Sequence, residues 1–85
     1  MIRIWIEFDH TIFDNPPAGT LLGVGITHHD EIIAINVINK KVFNGKMPPI
    51  KIKIIGITME ELDKNHVIPN MGDFNELGIW FPLGY

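Results

Sequence analysis

The chain has no cysteine, no serine, one arginine and two alanines among its 85 residues. Without cysteine there is no disulfide staple, no thiolate metal ligand and no thiol chemistry. Without serine there is no serine nucleophile. No apolar run approaches the ~18 residues of a membrane-spanning helix. Glu7 and Asp9 break the apolar start, where a secretory signal needs about 7–15 uninterrupted apolar residues. These absences predict a cytoplasmic protein with no membrane partner. The single arginine, with a net charge of −3, argues against duplex DNA, whose guanines are most often read by arginine.

What the chain has in excess is isoleucine, sixteen residues against five leucines. Isoleucine suits a pleated sheet, and a chain poor in alanine and leucine lacks the usual filling of helices. The length allows one domain, residues 1–85, burying only about 60–65% of the surface its unfolded form exposes. With no disulfides, the apolar side chains or a partner must supply the stability.

Residues 2–8 alternate, with Ile2, Ile4, Ile6 and Phe8 on one face and Arg3, Trp5 and Glu7 on the other. That is the period of a half-buried strand. Pro16-Pro17 closes a loop. Residues 20–28 read as a second strand, in which Gly23 and Gly25 mark a bulge or the close approach of a ligand or backbone. Residues 31–38, apolar on nearly both faces, read as a third, central strand paired with the second through a turn at His28–Asp30. Lys40–Phe43 is a possible short strand, and Asn44-Gly45 is a hairpin signal. Residues 50–57 alternate isoleucine with Lys51 and Lys53, and 77–81 form a last strand before Pro82. Thr58 and Glu61 match a capping box, which predicts one short helix near residues 59–65, with Pro69 ending any continuation. The expected fold is mainly β, a small α+β domain. It has an antiparallel sheet, compact barrel or sandwich of five to six short strands with one short helix. Apolar residues on both faces of residues 31–38 and 50–57 predict a homo-oligomer.

Charge is blocked along the chain. Residues 40–53 hold Lys40, Lys41, Lys46, Lys51 and Lys53 with no acid, between flanks that each sum to −4. The block predicts an anion-binding surface formed by Lys41, Lys46, Lys51 and Lys53, with Gly23 and Gly25 nearby and Trp5 and Trp80 as partner contacts. It would take a nucleotide or other phosphate-bearing small molecule, or an acidic protein partner. Lysines on an exposed strand also deter aggregation. The resulting expectation is a non-catalytic binding module that needs no cofactor or metal. It would be an inhibitor of the immunity or phage anti-defence kind.

Two other readings compete. Asp9, His10, His28, His29 and Asp30 could build a small metal- or carboxylate-dependent phosphohydrolase, although neighbouring His28 and His29 on a strand would face opposite ways. The apolar surplus would equally suit a structural subunit of a homo-oligomeric assembly. Gly23-Val24-Gly25 resembles the start of a dinucleotide fingerprint, but His28 stands at the third glycine and no helix is expected next. Glu7-Phe8-Asp9-His10-Thr11 resembles the first motif of the haloacid-dehalogenase-like phosphotransferases. The resemblance implies a general acid at Asp9 and a positioning role for Thr11. Glu7 stands where that family has its nucleophilic Asp, and residues 15–57 show no crossover helix, so the chain is not assigned to it.

Overall fold

A computed structural model describes residues 1–9, 17 and 19–85. Four strands, β1 (Ile2–Phe8), β2 (Val24–His28), β3 (Ile50–Ile55) and β4 (Gly78–Phe81), form one antiparallel sheet in the order β3-β1-β2-β4. One α-helix, α1 (Glu31–Lys41), lies across β2 and touches β4. The domain is thus a small α+β fold with an open antiparallel sheet, and the described strands number fewer than the five or six expected.

The alternation of β1 is realised as read. Ile4, Ile6 and Phe8 face α1 and pack with Val24, Ile26, Ala34, Ile38, Val42 and Phe43. Trp5 goes to the opposite face, into a second cluster with Ile57, Leu62, Val67, Trp80 and Phe81. β3 pairs with β1 so that Ile54 lies opposite Trp5 and Ile52 opposite Glu7, which puts Lys53 on the helix side, opposite Ile6.

The stretch 31–38 is the main correction, because it is helical. Asp30 is its N-cap, with one carboxylate oxygen accepting from the amides of Ile32 (2.8 Å) and Ile33 (3.1 Å). Such a cap satisfies amides the first turn would otherwise leave bare. Glu31 at the start and Lys40 and Lys41 at the end complement the helix dipole. Ala34 and Ile38, one turn apart, are fully buried. The isoleucines that hid this period are Ile32, 71% exposed, and Ile33, 48% exposed. Consequently no hairpin turns at His28–Asp30, and β2 lies between β1 and β4.

The expected short strand at 40–43 is the end of α1 and the buried pair Val42 and Phe43. Asn44 (φ 55°) and Gly45 (φ 87°) both take the left-handed conformation anticipated for them. The turn leads from helix to β3, where a hairpin between two strands was expected.

The helix expected near 59–65 shrinks to a 3-10 turn at Met59–Glu61, followed by a second at Ile68–Asn70. Its capping pair does form, with Glu61 Oε1 accepting from the amide (3.1 Å) and hydroxyl (2.9 Å) of Thr58. Asp63 then captures the amides of Asn65 (2.8 Å) and His66 (3.1 Å). A short acidic side chain that bonds its own downstream backbone competes with helix continuation.

Residues 57–74 cover the second sheet face and are tied down from β1 and β2. Arg3 donates to the Phe74 carbonyl (3.3 Å) and to the Asn75 side chain, while its guanidinium lies 4.9 Å from the Phe74 ring centre. The Thr27 hydroxyl donates to the same carbonyl (2.7 Å) and accepts from Trp80 Nε1 (3.1 Å). Both sheet faces are therefore covered from within the chain. Of the two segments behind the expected oligomer, Ile32 and Ile33 on α1 and Ile50, Ile52 and Ile55 on β3 stay exposed, as do Leu21, Leu77 and Leu83 elsewhere. No helix among the described residues is long and apolar enough to cross a membrane.

Candidate functional site

On the sheet face away from α1 the chain leaves a cleft of about 530 Å³. Its floor is apolar: Trp5 from β1, Ile54 from β3, and Ile57, Leu62 and Val67 from the covering segment. Leu21 and Leu22 form a wall, 75% and 42% exposed. The polar groups are three carboxylates, Glu7, Glu61 and Asp63, and no basic residue lines the cleft among the described residues.

Each carboxylate is held in place. Glu7 Oε2 accepts from Trp5 Nε1 at 3.0 Å, a bond between residues on the same face of one strand. Glu61 is fixed by Thr58. The Asn65 amide, with the His66 side chain beside it, holds the Asp63 carboxyl below the usual range. Asp63 Oδ2 is 3.2 Å from His66 Nδ1. Hydrogen bonds to an ionised carboxylate favour its charged form, which is the direction at Asp63. A second, mostly apolar hollow of about 420 Å³ adjoins it, sharing Leu21 and Leu22 and reaching Phe81, Pro82 and Leu83.

The residues singled out from sequence are placed differently. Lys41 ends α1, Lys46 follows the Asn44-Gly45 turn, and Lys51 and Lys53 sit on the edge strand β3. Lys53 is already ion-paired with Glu31. Trp80 is only 2% exposed, a core residue stacked 6.1 Å from Trp5. Trp5 is buried to 6% exposure, yet it floors the cleft.

Gly23 and Gly25 accommodate these indoles. A Cβ on Gly23 would lie 2.6 Å from Trp5 Cζ2, and one on Gly25 would lie 2.6 Å from Trp80 Cζ2. The close approach expected at these glycines is thus side-chain packing. A helix does follow β2, but its first amides are occupied by Asp30, so the glycine pattern makes no phosphate cradle.

The described members of the hydrolase set are not brought together. Asp9 follows the end of β1, whereas His28 pairs with Ile2 at its beginning, roughly 20 Å away at the ~3.3 Å rise of a strand. Asp30 is engaged as the helix cap. His28 and His29 are in edge contact, with the His29 amide donating to His28 Nδ1 at 3.0 Å. His10 and Thr11 lie outside the described residues. Among the described residues no group of three or more histidines and carboxylates is placed to hold a metal ion.

The sequence reading missed Glu7, Leu21, Leu22, Glu61 and Asp63 as one site. Only the position of Glu7, on the same strand face as Trp5, hinted at it. Comparisons with protein-family models, curated proteins and solved structures give no match.

Proposed function

We propose that the protein is a non-catalytic binding module whose seat is the cleft over Trp5. The group it takes is cationic and carried on an apolar stem, as in an arginine or lysine side chain of a protein partner. One observation carries this reading: three fixed carboxylates and, among the described residues, no basic one surround an apolar floor. An anionic rim over a low-dielectric floor attracts a cation. The aliphatic stem of such a side chain packs on apolar surface while its charged head meets the carboxylates. The sign is opposite to that of the lysine block. An inhibitor of the immunity or anti-defence kind would use such a cleft to occupy a basic surface of its target.

The test is a tryptophan-fluorescence titration with N-acetyl-arginine amide and with its uncharged counterpart, N-acetyl-citrulline amide. The arginine compound is expected to change the emission saturably, and the citrulline compound to have little effect. Glu7→Gln keeps an acceptor for the indole N–H and removes one charge. Losing a charge-assisted bond of about 1.5–3 kcal/mol should weaken binding tenfold or more. Equal response to both compounds would overturn the assignment.

A further inference from the structure

The lysines of β3 carry a second inference, independent of the cleft. β3 is an edge of the sheet, and among the described residues no strand pairs with its outer side. Every residue from Ile50 to Lys53 is exposed. Lys53, opposite Ile6, projects from the helix side of the sheet, and Lys51 is the extra residue of an irregularity in the strand, because Ile52 pairs with Glu7 while Ile50 pairs with Phe8. Ile52 (40% exposed) lies between them, and Ile50 (37% exposed) precedes the irregularity, opposite Phe8. An edge of this kind offers a row of backbone donors and acceptors to an incoming strand.

Self-pairing is disfavoured by geometry. In an antiparallel two-fold pairing that keeps each sheet face continuous, opposed residues share a face. The longest registers centre on Ile52 or on Lys53. The first sets Lys51 against Lys53 of the other copy, and the second sets Lys53 against itself. Like charges directly opposite destabilise a strand pair. The same two positions favour a strand with acids opposite them.

We infer that the outer edge of β3 receives an extended segment of a protein partner by strand addition, and that this segment alternates acidic with apolar residues. The acids lie opposite Lys51 and Lys53, and the apolar residues lie beside Ile52 and Ile54. Charge complementarity thus sets the register, and the main-chain ladder holds the segment.

The test uses the whole protein and synthetic peptides. One peptide alternates glutamate and valine. A second has the same composition with the glutamates and valines in separate blocks. A third alternates lysine and valine. Fluorescence anisotropy reads affinity, and amide hydrogen exchange reads protection of β3. The alternating acidic peptide is expected to bind about fivefold or more tighter than the block peptide and to slow exchange along β3. Lys51→Glu, chosen because Lys51 does not hold Glu31, should reverse the preference towards the lysine–valine peptide, with an unchanged circular dichroism spectrum. Equal affinity for the two acidic peptides would reduce the surface to a charge patch and overturn the inference. Competition by ATP without protection of β3 would instead assign a phosphate site. Protection of β3 in a dimer without peptide, seen by sedimentation, would assign the edge to a second copy. Absence of binding by every peptide would end it.

Discussion

Replacing Gly25 by alanine should be among the most damaging single-methyl additions to this protein. Gly25 lies on β2, opposite Trp5 on β1 and Phe81 on β4. An added Cβ would meet Trp80 Cζ2 at 2.6 Å, and Cη2 and Cζ3 of the same ring lie nearer still. Carbon atoms normally rest about 3.5–4.0 Å apart, so the ring would have to retreat by roughly 1 Å. It has nowhere easy to go. Its Nε1 is bonded to Thr27, Trp5 stacks on one side, and the Phe74 ring meets it edge-on with centres 4.9 Å apart. Overpacking of a tight core costs typically about 1–3 kcal/mol, and a ring held at three points puts this case near 3 kcal/mol. At about 0.05–0.15 kcal/mol per residue, that is a quarter or more of the stability available to a chain of this size. Urea unfolding followed by circular dichroism reads the loss as a lower midpoint with an unchanged slope. Trp80→Phe removes the outer ring atoms that collide. The double variant should therefore be more stable than the two single losses add up to, by about 1 kcal/mol or more. A Gly25→Ala loss below about 0.5 kcal/mol, or strict additivity in the cycle, would refute the packing assigned to Trp80.

Two further predictions concern the caps and the acid limb. Asp30→Ala strips the acceptor from the amides of Ile32 and Ile33 and should cost about 1 kcal/mol in urea unfolding. An unchanged midpoint would contradict the capping role. Asp63, held below its ordinary pKa, contributes stability that is present above the unfolded value of 3.8 and is lost as pH falls through the lower folded value. Asp63→Asn should therefore narrow the gap in urea midpoint between pH 6 and pH 2.5. An undiminished gap would show that Asp63 is not the group responsible.

The strands were legible where one face is buried and the other is not. In β1, Ile4 and Ile6 alternate with Arg3 and Glu7, and the register follows. In β3 the alternation of isoleucine with Lys51 and Lys53 marked the strand, although every residue from Ile50 to Lys53 is exposed. Helix α1 was not legible from apolar pattern, because Ile32, Ile33 and Ile35 fill the faces that polar residues usually occupy. Isoleucine's strand preference then outweighed a signal that was present, Asp30 ahead of Ala34 and Ile38. Tertiary contact with β2 and the cap decide in favour of the helix.

The glycines were read as a bulge or the close approach of a ligand or backbone, and what approaches is an indole from the same chain. The lysine block was visible as charge, and the location of Lys51 and Lys53 on an edge strand depended on topology. The cleft was hidden for a simpler reason. Glu7 and Asp63 are far apart along the chain, and only folding the 57–74 segment over β1 brings them to one rim.

The central claim is that a cationic side chain seats over Trp5 between Glu7, Glu61 and Asp63. The most direct measurement is a ¹H–¹⁵N NMR titration with N-acetyl-arginine amide, repeated with the citrulline compound and with Glu7→Gln. The account predicts saturable shifts centred on the Trp5 indole N–H and the amides of Leu62 and Asp63, much weaker with citrulline and in the variant. Shifts of equal size with citrulline, or shifts confined to residues away from this cleft, would contradict it.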